Sequence, residues 1–223
     1  AYATNSAGTS YGSDVTFTTI ATTAATVSTR SVTAPTHNTA AGGGTITDDG
    51  GDPVIARGVC WSTATGPLVT GLHTTDGAGT GSFDSNITGL LPGTAYYVRA
   101  YATNSKGTAY GNEVTFATPA TLATVTTRAV SDPYISTATG GGNITNDGGD
   151  PAIVRGVCWS TTPGPLVSDA HTTDGTGAGS FLSSISGLLP ATTYYVRAYA
   201  TNSSGTAYGE EVSFTTLLGD FDG

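Results

Sequence analysis

Residues 96–104, Tyr96-Tyr97-Val98-Arg99-Ala100-Tyr101-Ala102-Thr103-Asn104, decide the fold. Tyr96, Val98, Ala100 and Ala102 fall on one face and Tyr97, Arg99, Tyr101 and Thr103 on the other, the period of two that marks a β-strand. Asn104-Ser105-Lys106-Gly107 supplies a turn. The strand that follows puts Val114 and Phe116 on one face and Glu113 and Thr115 on the other. The whole stretch returns as Tyr194-Tyr195-Val196-Arg197-Ala198-Tyr199-Ala200-Thr201-Asn202 through Val212-Ser213-Phe214. Its later part also opens the chain, as Ala1-Tyr2-Ala3-Thr4-Asn5 through Val15-Thr16-Phe17.

Working outward, the repeat has a fixed length. Cys60 and Cys158 are 158 − 60 = 98 residues apart, and Tyr96 and Tyr194 keep the same spacing. Phe17 and Phe116 are 116 − 17 = 99 apart, the extra residue falling in the linker 20–25. A period of this length indicates repeated whole domains rather than solenoid or propeller units, and it matches a β-sandwich of about 100 residues. The chain divides into an incomplete repeat over 1–19, two full repeats over 20–118 and 119–217, and a tail at 218–223. The joint at 118–123 is too short to act as a flexible tether, so successive repeats should form a semi-rigid rod.

Leu90-x-Pro92-Gly93-Thr94-x-Tyr96 leading into the alternating strand, and the Phe-Ala-Thr or Phe-Thr-Thr ending, resemble the end of a fibronectin type III-like domain. Arg57-Gly58-Val59-Cys60-Trp61-Ser62-Thr63, taken with Tyr-Tyr-Val-Arg-Ala-Tyr-Ala-Thr-Asn-x-x-Gly-Thr-x-Tyr-Gly, is similar to tandem modules of bacterial secreted and surface proteins. The resemblance implies an all-β chain of tandem fibronectin type III/Ig-like β-sandwich domains. It also implies an extracellular or cell-surface setting. Tyr96 and Tyr194 match its tyrosine-corner position, where the hydroxyl bonds an upstream backbone group and pins a crossover between sheets.

Composition narrows the partners. A net charge of −9 with only seven Lys and Arg argues against nucleic acid and anionic membranes, which require a basic face. No apolar run approaches the roughly 20 residues of a spanning helix. Few charges with many Thr, Ser, Gly and Ala suit an extracellular β-protein surfaced with hydroxyls. The chain has no Met and no visible signal peptide, which fits a mature exported protein or a slice of one.

Candidate chemistry is sparse. One cysteine per repeat makes no bridge within a repeat, so Cys60 and Cys158 read as buried, unpaired residues of a core strand. Asp48-Asp49-x-x-Asp52 and Asp147-x-x-Asp150 read as turns, with a bound calcium as the alternative. His73 and His171, each three residues before Asp76 or Asp174, lack a nucleophile and read as loop histidines. The Gly-x-Gly runs at 79–81 and 177–179 precede no helix and form no phosphate cradle. Asp220-Phe221-Asp222-Gly223 reads as a tail, or as the opening of a calcium loop. Asn86, Asn143 and Asn202 fit the N-glycosylation pattern, at positions not equivalent between repeats. Hydroxyl-linked glycans are an equal candidate. Nothing here calls for a cofactor, a metal or catalysis.

Two features read as assembly contacts. The rows Tyr97-Arg99-Tyr101 and Tyr195-Arg197-Tyr199 face away from the core and carry residue types enriched at interfaces, with a self-satisfied ladder within the sheet as the alternative. Val15 and Phe17 belong to a terminal hairpin whose core face has nothing to cover it. An upstream segment of a longer array, or strand addition from a neighbouring subunit, would complete it. The expected function is a structural extracellular repeat protein forming a fibre, stalk or surface appendage. A carbohydrate- or surface-binding adhesin module, and a non-catalytic spacer of a larger secreted enzyme, are the alternatives.

Overall fold

The computed structural model describes residues 1–19, 21–152 and 154–219. Within them the chain is all-β. A hairpin, β1 (Tyr2–Asn5) and β2 (Gly8–Tyr11), opens it. Then come β3 (Thr26–Thr29), β4 (Thr39–Asp48), β5 (Ala56–Ser62), β6 (Leu72–His73), β7 (Gly81–Thr88), β8 (Ala95–Asn104), β9 (Gly107–Tyr110) and β10 (Val114–Ala117). The same succession returns as β11 (Thr124–Thr127), β12 (Thr137–Asn146), β13 (Val154–Ser160), β14 (Ala170–His171), β15 (Gly179–Ser186), β16 (Thr193–Asn202), β17 (Gly205–Tyr208) and β18 (Val212–Thr215).

Each succession builds two antiparallel sheets. In the first, β3-β4-β7 form a three-stranded sheet and β10-β8-β5-β6 a larger one, with β9 also paired to β8. The alternation in β7 shows how sequence sets the face. Phe83, Ser85 and Ile87 are buried while Asp84, Asn86 and Thr88 are exposed. Ile46, Phe83 and Ile87 from the smaller sheet pack with Val59, Val98 and Ala100 from the larger one in a single core cluster. Ile144, Phe181, Ile185, Val157, Val196 and Ala198 form the counterpart. The sheets approach closely where glycine faces alanine. A Cβ on Gly44 would lie 2.6 Å from Ala100 Cβ, and one on Gly142 would lie 2.5 Å from Ala198 Cβ.

The strand after β8 is broken into β9 and β10, and Thr29 fills the break. Its Oγ1 accepts the Ala100 N–H at 2.9 Å, while its own N–H donates to Asn112 Oδ1 at 3.1 Å. A Cβ on Gly111 would meet Thr29 Oγ1 at 2.5 Å, so the return strand kinks at glycine to admit the threonine. This ties the edge of one sheet to the middle of the other.

The corner before β8 is pinned as the sequence predicts. Tyr96 is buried, stacks on Phe116 at 5.6 Å, and its hydroxyl accepts the Leu91 N–H at 2.9 Å. Tyr194 does the same with Phe214 and the Leu189 N–H at 3.0 Å. Thr118 closes the corner by donating its hydroxyl to Leu91 O and accepting the Thr94 N–H.

The two successions meet backbone to backbone. Gly93 N–H donates to Pro119 O at 3.1 Å and Thr121 N–H to Gly148 O at 2.9 Å. A Cβ on Gly93 would stand 2.0 Å from Gly149 O.

Residues 1–19 differ from the expectation in one respect. Tyr2–Asn5 pairs with Gly8–Tyr11 as β9 pairs with β8, but residues 13–19 form no strand. In the full repeat Val114 pairs with Val98 and Phe116 with Tyr96. The hairpin Tyr2–Tyr11 holds no counterpart of Val98 or Tyr96 for Val15 and Phe17 to pair with. They stand 88% and 86% exposed.

Tyr96→Phe removes the acceptor of the Leu91 N–H in a part-buried hydrogen bond and should cost about 1–3 kcal/mol. Equilibrium urea unfolding of the whole chain reads this, and an unchanged midpoint would show that the hydroxyl does not hold the corner.

Candidate functional site

The expected interaction face is the side of β8 and β16 turned away from the core. Register places Ala56, Gly58, Cys60 and Ser62 beside Thr103, Tyr101, Arg99 and Tyr97 on that side. The face is not open. The segment between β5 and β7 folds across it, and several side chains fasten it there. Tyr110 hydroxyl accepts the Val69 N–H at 3.2 Å and Glu113 Oε2 accepts the Gly66 N–H at 2.6 Å. Cys60 Sγ lies 3.3 Å from Pro67 O. Tyr101 donates its hydroxyl to Thr74 O at 2.7 Å, with His73 edge-on at 6.1 Å.

This corrects the reading of Tyr101 and Tyr199 as outward contacts. Each is 2% exposed, each is covered by the segment, and each hydroxyl is already committed to a backbone carbonyl. Gly58 and Gly156 lie opposite them, where a Cβ would fall 2.3 and 2.2 Å from the carbonyls of Thr74 and Thr172. The missing side chain is what lets the segment come down on the sheet. Tyr97, Arg99, Tyr195 and Arg197 remain half-exposed. Arg99 lies 4.6 Å from the Tyr110 ring centroid and donates to Gly111 O, and Arg197 repeats this with Tyr208 and Gly209 O. The arginines therefore stack on tyrosines of the neighbouring strand, a pairing that alternation along one strand does not display.

The cysteines are free and fully buried, on the face covered by the segment rather than between the sheets. Burial pushes both thiols up to about 11. Beneath the same segment, Thr74 and Ser85 both donate their hydroxyls to Asp76 Oδ2. Thr172, Ser183 and Asp174 repeat the cluster. Arg57 reaches across to donate to the carbonyls of Gly79 and Thr80, at 3.1 and 2.8 Å. The Gly-x-Gly run is thus held through its carbonyls. His73 Nδ1 sits 2.9 Å from Gly71 O.

The acidic turns are fasteners. Asp48 and Asp49 accept the amides of Gly50 and Gly51. Asp52 accepts the Ser105 N–H at 2.8 Å, and that bond holds its carboxyl below the usual range. Asp150 is lowered by the Ser203 side chain and then by the Ser203 N–H. Among the described residues no group of three or more His, Cys, Asp or Glu could hold a metal ion, and no helix is long and apolar enough to cross a membrane. The Asp220-Phe221-Asp222-Gly223 reading lies outside the described residues.

Of the three candidate glycan acceptors, Asn86 is exposed on β7. Asn143 is half-buried, and its side-chain oxygen accepts the Ser180 hydroxyl at 3.2 Å. Asn202 is corrected. It is 4% exposed, and its Nδ2, the atom a glycan would take, donates to Thr121 O and Asp147 O at 2.7 and 2.8 Å. Asn104 makes the same bonds to Thr23 O and Asp49 O. These asparagines staple the incoming linker to the turn after the second strand of each sheet pair. The exact recurrence of Asn104 and Asn202 after the same Ala-Thr is the sequence signal for that role.

No family model matches the chain, and no curated protein matches it.

The buried thiols set a pH dependence. Unfolded thiols ionise near pH 8.5, whereas the folded ones hold their protons to about pH 11. Their contribution is therefore complete below about pH 8.5 and lost as pH rises towards 11, at about 1.4 kcal/mol per pH unit for each thiol. Urea unfolding at pH 7, 9 and 10.5 should show a decline that becomes shallower in the Cys60→Ala/Cys158→Ala variant. Equal slopes in the two proteins would remove the thiols as its cause.

Proposed function

We propose that this chain is a structural, non-catalytic extracellular repeat protein, in which end-to-end fibronectin type III/Ig-like β-sandwiches build a fibre, stalk or surface appendage of a bacterial cell. The observation that carries the reading is the joint. Pro92 and Gly93 of one sheet pair abut Gly149 of the next, the linker amide of Thr121 bonds Gly148 O, and Asn202 holds Thr121 O. A junction made of backbone atoms and hydrogen bonds restricts the angle between repeats, as a stiff rod requires and a tethered module does not. The turn that receives the joint has its counterpart at Gly50 and Gly51, where Thr23 N–H again bonds Gly50 O. The same geometry is thus available to a repeat on the preceding side. The covered outer faces favour this reading over one in which the Tyr-Arg rows bind a partner.

The role of Val15 and Phe17 in this proposal is to complete a sheet pair. Both are large, apolar and exposed, while their counterparts Val114 and Phe116 pack against a core cluster. Glycans on Asn86 or on the abundant hydroxyls are compatible with such an appendage.

Gly93→Ala tests the joint. Ala191 occupies the equivalent position at φ 47°, so the turn itself accepts alanine, and only the carbonyl of Gly149 opposes the added methyl. Small-angle scattering should show a looser, more variable arrangement of the two repeats, with the unfolding free energy lowered by about 1–2 kcal/mol, the cost of a side chain in the left-handed region. An unchanged profile would mean that the contact does not set the angle. Electron microscopy of the natural material should show regular end-to-end filaments or stalks. Dispersed single particles would defeat the fibre reading.

A further inference from the structure

A pocket of about 680 Å³ opens at the end of the first sheet pair, between the segment that follows β5 and the corner before β8. Trp61 and Tyr96 line it together with Leu68, Leu72 and Leu91, and Thr63, Thr65 and Thr70 bring hydroxyls to its wall. We propose that this pocket is a binding site for a neutral saccharide.

Four observations carry the assignment. First, Trp61 is 7% exposed, yet its indole Nε1 has no hydrogen-bond partner and is closed off from solvent. A buried donor left unpaired is costly, and buried polar groups in folded proteins nearly always find partners. A ligand oxygen would supply the missing acceptor. Second, the Tyr96 hydroxyl accepts the Leu91 N–H, which uses a lone pair and leaves its own proton to donate. Third, no lining residue is charged. A chain of net charge −9 does not attract anions, and a pocket without a carboxylate has no partner for a cation. Fourth, an indole and leucines beside threonine hydroxyls match a sugar ring, which offers an apolar C–H face and a rim of hydroxyls. The volume falls in the range of ligand pockets, about 300–1,000 Å³.

The second repeat supplies an internal comparison. Leu72 stands opposite Trp61 across the β5–β6 pair, and Ala170 stands opposite Trp159 across β13–β14. Without the leucine, Trp159 is only half-buried. Leu72 is itself 60% exposed, so this edge side chain beside Trp61 is not locked in place. Moving it aside gives a ligand oxygen access to the N–H. In the 160–170 segment Asp169 replaces Gly71 and binds the Leu166 amide at 2.9 Å, which alters the wall again. The site therefore belongs to the first repeat, and the expected stoichiometry is one per chain.

The test is titration of the full chain with a panel of neutral oligosaccharides, namely cellohexaose, xylohexaose, chitohexaose, maltohexaose and mannohexaose. Binding is followed by calorimetry and by the indole N–H signals of ¹⁵N-labelled protein. At least one sugar is expected to bind, one per chain, and to move the Trp61 indole signal while leaving that of Trp159 in place. Trp61→Phe keeps an aromatic ring, smaller and without the N–H, and should weaken binding at least 10-fold. Leu72→Asp changes an exposed edge residue and should do the same by placing a charge in the wall, which keeps the test open if the first variant folds poorly. Binding by none of the sugars, a shift confined to Trp159, equal binding by both variants, or capture of a proline-rich peptide in place of any sugar would each overturn the assignment.

Discussion

Two sheets can share this core only because a glycine faces an alanine at the point of closest approach. Gly44 sits against Ala100, and a Cβ on it would also meet Ser28 O at 2.8 Å and Phe83 Cζ at 2.9 Å. Any side chain there would force the sheets apart or drive Phe83 from its place, the kind of overpacking that costs about 1–3 kcal/mol. Much else depends on that spacing. Phe83 can lie over the contact and still receive the Arg57 guanidinium at 5.3 Å from its centroid. Thr29 can reach Ala100 N–H only because the three-stranded sheet lies this close. The Gly42-Gly43-Gly44 run is therefore a packing device within a strand, where glycine otherwise weakens pairing.

A consequence of so thin a core is that the rest of the molecule is held by hydrogen bonds more than by bulk. Thr118, Asn104 and Ser85 are buried polar side chains, and each donates to a carbonyl or carboxylate. Tyr101 and Tyr96 are both buried, on opposite sides of β8, and each hydroxyl meets a main-chain group. This accounts for a chain rich in Thr, Ser and Asn and poor in charge. Short hydroxyl and amide side chains satisfy backbone groups in turns and irregular segments at low desolvation cost, where Lys or Glu would carry a charge out of water.

The alternating strand at 96–104, its copy at 194–202 and the tyrosine corner were legible because they depend on local alternation and on a period that the chain states twice. The burial of the cysteines was legible too, but not the side of the sheet on which they lie. Alternation says which residues share a face. It does not say whether a loop covers that face. Tyr101 and Arg99 share a side of β8, yet one is sealed and the other half-exposed, because the 62–76 segment descends where Gly58 leaves room. Asn202 was open to misreading for a related reason. A three-residue acceptor pattern is local, whereas the carbonyls that occupy its amide come from 81 and 55 residues away. The joint and the Trp61 pocket lie further from reach, since both are formed by segments distant in sequence.

The repeats also act as a substitution experiment performed within one chain. Arg30 pairs with Asp84 across the smaller sheet, but the equivalent positions hold Arg128 and Leu182. The pairing of β12 with β15 nonetheless keeps the register of β4 with β7 residue for residue. The ion pair is therefore not what sets that register, as expected for exposed charges. Thr45 becomes Asn143 and still bonds the serine opposite, Ser180 in place of Ser82. By contrast, the interior pairs Gly44 with Ala100, Tyr96 with Phe116 and Thr74 with Asp76 recur without change as Gly142 with Ala198, Tyr194 with Phe214 and Thr172 with Asp174. Where the repeats differ, the changes fall on exposed or half-buried positions of strands, turns and loops, including the segment around the Trp61 pocket, with one exchange inside the core, Val54 for Ala152. The sheets keep one solution to their packing while the ends of the repeats are free to diverge, which is the division expected if shared structure lies in the core and individual function at the ends.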